Sequence, residues 1–345
     1  MKIAIVGAGA IGGYVGVKLA LAGEDVTFMV RGANLEAIRS RGMKLVMHDG
    51  SEHVAANVKA TNDYAQAGPQ DIVVLAVKAH QVEDVANELP KLFGPETVVV
   101  TMQNGIPFWY FHKHGGPLEG SHVRSVDAQG KLPELISPNR VIGCVVYPAA
   151  ELIAPGVVKH IEGDRFPVGE LDGSPSERVN RISKCFVNAG FKAPVLDNIR
   201  SEIWLKLWGN LTFNPISSLT HSTLVDICQY APSREVAANM MREAQDVAHK
   251  LGIEFRVTLE KRIAGAEKVG KHKTSMLQDI ESGRSPEVDA LVGSVAELGD
   301  LTGTPTPHID SLYALVKLLA RTMQDQRGRV RLLRESVERL EARAA

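Results

Sequence analysis

The chain has 345 residues, 44% of them hydrophobic and 23% charged, with a formal net charge of -1 and a pI near 6.8. That balance belongs to a soluble globular protein long enough for two domains. It excludes a global field that would draw in nucleic acid or an anionic membrane.

The chain opens on an apolar run, Ile3 to Val6, which suits a strand buried on both faces. Gly7-Ala8-Gly9-Ala10-Ile11-Gly12 follows at once and fits G-x-G-x-x-G, and a helix-like stretch from Tyr14 to Ala22 stops at Gly23. Strand, glycine turn and helix in this order form the context in which the motif points to a dinucleotide. Gly7 permits the tight turn, Gly9 lets backbone amides approach a pyrophosphate, and Gly12 lets helix and strand pack closely. The bland alternative is a tight turn with nothing bound.

Asp25 to Val30 is a second strand, followed by Arg31 and, further on, Asn34 and Glu36. A carboxylate at this strand end selects NAD, whereas an arginine accommodates the 2′-phosphate of NADP(H). Arg31 therefore argues for NADP(H), against the alternative of a solvated loop arginine. Gly42 to Lys59 alternates as a hairpin turning at His48-Asp49-Gly50-Ser51. Asp71 to Val77 and Thr97 to Met102 are buried strands, and they end at Lys78-Ala79-His80-Gln81 and Gln103-Asn104-Gly105. Lys78 and Asn104 thus stand at the carboxyl edge, where open α/β sheets hold ligands. An ordinary Asn-Gly turn is the competing reading of the second site.

Ile106 to Gly116 carries four consecutive aromatics, Phe108 to Phe111, in a chain otherwise poor in them. A lid, a partner contact and packing onto the domain body all remain open, the last being the blander choice. His112 and His114 lack a third donor at metal-binding spacing. Val141 to Tyr147, Val157 to Ile161 and Phe166 to Val168 are strands without intervening helices, expected to add antiparallel at the sheet edge. A helix from Ser176 to Ala189 and a short strand near Ala193 to Leu196 close the βα pattern. The domain boundary is placed near residue 198.

Beyond Ser201 the periodicity turns helical. The helices expected are Ile203 to Phe213, Ser233 to Leu251, Val257 to Lys268, Ser275 to Gly283, Glu287 to Thr302 and Pro307 to Met323. In the tail, Val330, Leu333, Val337 and Leu340 recur at helical spacing and suggest a surface or partner-contacting helix. The first residues lack the pattern of a signal peptide, because the apolar run ends in glycines. Cys144, Cys185 and Cys228 are scattered, without CxxC or metal spacing, so a cytoplasmic, reducing setting is expected.

Lys206, Asn210 and Asn214 recur every four residues and so share one helical face, amid Trp204, Leu205, Leu207, Trp208, Leu211 and Phe213. Burying a lysine and two amides there is costly without partners or a ligand, although a plain exposed stripe would show the same spacing. Pro215 is expected to break the helix directly after Asn214. Ser275 with Gln278 reads as a capping box, and a serine at a helix start also suits a carboxylate. Glu287 follows Pro286 in the first turn of the next helix, where an acidic residue is routine.

GAGAIG at 7–12, Arg31, VKAHQ at 77–81, QNG at 103–105, WLKLWGNLTFNP at 204–215 and TSMLQDIESGRSPEVDALVG at 274–293 together resemble the ketopantoate reductase family. The likeness runs to about residue 320. It implies an α/β chain with an NADP(H)-binding Rossmann-type domain over 1–198 and an all-α substrate and dimerisation domain over 199–345. The implied activity is NADPH-dependent reduction of a 2-keto acid, ketopantoate to pantoate. Carried over, Lys206 is the general acid, and Glu287 contacts the substrate hydroxyl and cofactor and sets the lysine's position. Asn104, Asn210, Asn214 and Ser275 hold substrate. Gly7, Ala8, Gly9, Ala10, Ile11, Gly12, Arg31, Lys78 and Asn104 line the cofactor. No metal is expected, and a homodimer would form through the helical domain. Family enzymes often carry a further substrate asparagine beyond the Asn-Pro, where this chain reads Leu219-Thr220-His221-Ser222-Thr223-Leu224. The departure keeps open a paralogue acting on another 2-keto acid, or a non-catalytic NADP(H)-binding protein.

Overall fold

The computed structural model describes residues 1–332. It divides into two compact units, Met1–Leu207 and the residues from Trp208 onward. In the first unit the strands are β1 (Lys2–Val6), β2 (Asp25–Met29), β3 (Met43–Val46), β4 (Glu52–Ala55), β5 (Lys59–Thr61), β6 (Gln70–Leu75), β7 (Phe93–Thr101), β8 (Val141–Cys144), β9 (Ala149–Ala154), β10 (Val157–Glu162) and β11 (Val168–Gly169). Seven of them form one sheet in the order β11-β8-β7-β6-β1-β2-β5. All its pairings are parallel except β11 with β8. The central strands are buried on both faces, so their side chains read as unbroken Ile, Val and Leu.

Helices Ala10–Leu21, Gly32–Arg41 and Glu177–Asn188 accompany this sheet. Val15, Val17, Leu19, Ile182 and Phe186 join Ile3, Ile5, Ile72 and Val74 in one apolar core. Ser176 caps the third of these helices through the Val179 N–H. The expected strand at Ala193 to Leu196 makes only an isolated bridge, Val195 with Val168.

The hairpin expected between 42 and 59 is present as β3 and β4. The strands near 140–170 depart from expectation. β8 continues the main sheet in parallel and only β11 adds antiparallel at its edge. β9 and β10 instead join the β3–β4 hairpin in a second sheet, β4-β3-β10-β9, in which β10 runs parallel to β3. Long-range pairing of this kind leaves no mark in local periodicity.

The second unit is helical: Leu224–Gln229, Ala231–Lys250, Leu259–Val269, Ser275–Glu281, Ser294–Thr302 and Pro307–Asp325. The first of these was not expected; Thr223 and Asp226 form its capping box. Helix Ile199–Thr220 corrects the reading of Pro215, because it runs through the proline. Proline removes one N–H and so deprives the Leu211 carbonyl of its partner. The turns on either side are buried, from Leu211 to Ser218, and this burial outweighs one lost bond. The helix ends where His221 takes a left-handed φ of 56°. No described helix is long and apolar enough to cross a membrane. The tail helix suggested by Leu333, Val337 and Leu340 lies outside the described residues.

Candidate active site

Gly7 has φ +99°, and a Cβ there would stand 2.8 Å from the Val77 side chain. A Cβ on Gly12 would meet the Gly7 carbonyl oxygen at 1.9 Å, so only glycine allows the first helix to come this close to β1. Above Gly9 the space is open, with nothing within 4 Å of a Cβ. Gly9 is also the N-cap of helix Ala10–Leu21, and no side chain caps it. The first-turn amides are thus left without a side-chain cap at the positive end of a helix, next to the open space at Gly9, which fits a pyrophosphate. Arg31 is exposed at the N-cap of helix Gly32–Arg41, just beyond β2, which fits a 2′-phosphate.

One residue of this region carries more than its sequence signal suggested. The Asn34 amide donates to the Ala8 carbonyl at 2.6 Å, while its Oδ1 accepts from the Gly156 N–H at 2.6 Å. It ties the glycine turn to the turn between β9 and β10. Its position after Arg31 was visible in the sequence, but its distant partner was not.

At the carboxyl edge, Lys78 and Asn104 are half-buried. Gln103 bridges two strand ends by donating to the carbonyls of Leu75 and Val77 at 2.8 and 2.9 Å. The Lys78 N–H donates to Gln81 Oε1 at 3.2 Å, closing a single 3₁₀ turn. Lys206, half-buried on helix Ile199–Thr220, donates from Nζ to Asn104 Oδ1 at 2.5 Å and to the Val146 carbonyl. Lys206 and Asn104 are thus brought together. Asn198 Oδ1 accepts from the Ser201 N–H at 3.0 Å and caps this helix one turn below Glu202. The Cys144 thiol is pushed up to about 12 by burial, with the nearby Lys206 charge acting the other way.

The aromatic run packs onto the domain body. Trp109, Tyr110 and Phe111 are fully buried. Trp109 Nε1 donates to Thr101 Oγ1 at 3.0 Å, and Trp204 Nε1 donates to the Tyr110 hydroxyl at 2.7 Å. Arg200 is buried and donates to the carbonyls of Tyr110, His112 and Leu171. Its guanidinium lies 5.8 Å from the centre of the Trp109 ring and 5.7 Å from that of Tyr110. The run anchors the start of the lysine helix.

In the helical unit, Asn214 is 4% exposed, and its amide nitrogen has no hydrogen-bond partner among the described residues. The exposed-stripe reading therefore fails at Asn214. A buried amide donor without a partner is costly and fits a ligand that accepts from it. Ser275 is exposed at the first position of its helix, and the expected capping box is corrected. Thr274 is the N-cap, accepting from the Leu277 N–H at 3.3 Å, because its own backbone is the extended residue before the first turn. Glu287 is half-buried just before a π-helical turn, Asp289–Gly293. Asp289 fixes that turn by accepting from the Tyr313 hydroxyl at 2.8 Å and from Lys317 Nζ at 2.6 and 2.5 Å. Turns of this type recur at functional sites. Among the described residues no cluster of three metal-ligating side chains occurs.

Residues 3–173 match the family model described as ketopantoate reductase PanE/ApbA, and residues 198–320 match the model of its C-terminal part. A 2-dehydropantoate 2-reductase of Mesorhizobium japonicum is 53% identical over 321 residues, covering 93% of this chain and 98% of that protein. Another, from Pyrococcus horikoshii, is 31% identical over 92% of this chain and 97% of its own. Among solved structures, a ketopantoate-reductase-like protein from Ralstonia solanacearum is 41% identical, with a TM-score of 0.89 over 93% of this chain and 98% of that one. Both family models fall on the parts that carry the glycine turn, Lys206 and Glu287, and the chain belongs to the ketopantoate reductase family.

Proposed function

We propose that this chain is an NADPH-dependent 2-dehydropantoate 2-reductase, forming pantoate in the route to pantothenate, with Lys206 as general acid. The observation that carries the reading is the Lys206 ammonium, held by Asn104 Oδ1 and the Val146 carbonyl at the ligand-binding edge of the sheet. When bound, the reduced nicotinamide supplies the hydride. Negative charge then grows on the keto oxygen, and a fixed ammonium stabilises that charge and delivers its proton. Asn104 orients the lysine and is assigned to substrate and cofactor at the carboxyl edge of the sheet. Asn210, Asn214 and Ser275 are assigned to the substrate's carboxylate and hydroxyl groups. Glu287 is assigned to the substrate hydroxyl and to tuning the lysine. Gly7 to Gly12, Arg31 and Lys78 are assigned to the cofactor.

Within this proposal, residues 1–198 serve the cofactor and the helical remainder serves the substrate. A homodimer through the helical part is supported by Leu315 and Leu318, which are 55% and 60% exposed on helix Pro307–Asp325. A cytoplasmic location is supported by three buried free thiols.

The test is NADPH oxidation across a panel of 2-keto acids that includes ketopantoate, with Lys206→Ala beside the wild type. We expect ketopantoate to be reduced and the variant to lose at least about 10³-fold in kcat with NADPH affinity kept. Unaltered turnover removes the acid role. A second reading, another 2-keto acid as substrate, is favoured by the stretch Leu219 to Leu224, which lacks asparagine. A higher kcat/KM for another panel member selects it.

A further inference from the structure

Glu202 lies one helical turn before Lys206, and its side chain is only 3% exposed. A carboxylate buried that deeply needs compensating partners. Tyr147 donates its hydroxyl to Glu202 Oε1 at 2.8 Å, and Arg165 Nη1 donates to the same oxygen at 2.5 Å. The Arg165 guanidinium also lies 5.0 Å from the centre of the Tyr147 ring.

The backbone between these side chains explains why the cluster matters. The Tyr147 N–H donates to the Arg165 carbonyl at 3.2 Å, and the Val145 N–H donates to the Pro167 carbonyl at 3.0 Å. The Val146 carbonyl belongs to the same peptide unit as the Tyr147 N–H. In a trans peptide these two groups point in opposite directions. With the N–H committed to Arg165, the carbonyl is turned the other way, where it accepts from Lys206 Nζ. Glu202 holds the side chains on both sides of that single ladder bond, from the same helix that carries the lysine.

We propose that Glu202, acting through Tyr147 and Arg165, is the positioning residue that aims the Val146 carbonyl and fixes the Lys206 ammonium. It is not a catalytic residue. The inference rests on the reading of Lys206 as general acid. The charges around the lysine set the sign of the effect. Glu202 and Arg165 form a neutral pair, the Cys144 thiol of β8 is held neutral by burial, and burial likewise raises Tyr147. Removing the Glu202 charge leaves Arg165, whose backbone carbonyl holds the peptide that binds the lysine, as an uncompensated cation, which disfavours the protonated lysine.

The experiment is the pH dependence of kcat/KM for ketopantoate at saturating NADPH in E202Q, which keeps the acceptor oxygen and removes the charge. The rate limb that falls as pH rises through the lysine's pKa should move to lower pH by about one unit. The NADPH Kd should stay within about twofold. Removing both charges in E202Q/R165Q should return the limb most of the way, which loss of structure alone would not do. If E202Q does not fold, Y147F removes one donor only, and its kcat should fall about fivefold with the NADPH Kd unchanged. A folded, NADPH-binding E202Q with an unmoved limb overturns the proposal, as does a Y147F of wild-type kcat. Turnover retained by Lys206→Ala would instead overturn the reading of the lysine, so the two failures are distinguishable.

Discussion

Asn104→Ala removes the side-chain acceptor at 2.5 Å from the Lys206 ammonium and leaves the Val146 carbonyl in place. A hydrogen bond to a charged group contributes about 1.5–3 kcal/mol. With the ammonium half-buried, solvent replaces the lost partner only in part. A tenfold rate change corresponds to about 1.4 kcal/mol, so kcat/KM should fall roughly 10- to 150-fold. That loss is smaller than the one expected for Lys206→Ala, because the lysine is misplaced rather than deleted. The decisive assay is a double-mutant cycle by NADPH oxidation at fixed pH, with NADPH binding measured separately. If Asn104 acts through Lys206, the second substitution should cost only a few-fold once the lysine is gone. Losses that multiply across the cycle would refute the argument and assign Asn104 to the cofactor or substrate alone.

Arg31→Ala should weaken NADPH binding about 10- to 100-fold while leaving NADH within about twofold, and added salt should shrink the difference; equal loss of both removes the 2′-phosphate argument. Gly12→Ala forces a Cβ to within 1.9 Å of the Gly7 carbonyl oxygen, so calorimetry should show a lower Tm and titration no NADPH binding. Thr274→Ala should cost about 1 kcal/mol of stability, seen as a Tm lower by a few degrees. Ser275→Ala should keep Tm and raise KM for the keto acid, and the reverse pattern would return the cap to Ser275.

What could be read from the sequence was local. Gly7, Gly9 and Gly12 sit inside one strand-turn-helix unit, so their spacing alone fixed their geometry. Arg31, Lys78 and Asn104 could be placed because strand ends are visible as the limits of apolar runs. Lys206 and Asn214 stood out because polar groups interrupted a dense apolar helix. Three features depended on distant or competing contacts and stayed hidden. Pro215 looked like a helix end, since propensity cannot see the burial that carries the helix past it. Thr274 and Ser275 are adjacent hydroxyl residues, and only the backbone angles decide which one caps. The second sheet joins β3 to β10, and neither strand's sequence names its partner.

That second sheet bears on how the protein is made. Val157 of β10 pairs with Lys44 of β3, and Asn34 beside the glycine turn waits for Gly156. While the chain emerges from the ribosome, the β3–β4 hairpin is complete long before β10 exists. Until then β3 presents an open edge strand, the kind of surface that templates aggregation. During this interval Asn34, which donates to the Ala8 carbonyl of the glycine turn, lacks its second partner, the Gly156 N–H. Early synthesis therefore yields a two-stranded hairpin with one unpaired edge and a glycine turn that is only partly braced. The step that closes the edge against neighbouring nascent chains is the same step that braces the glycine turn through Asn34.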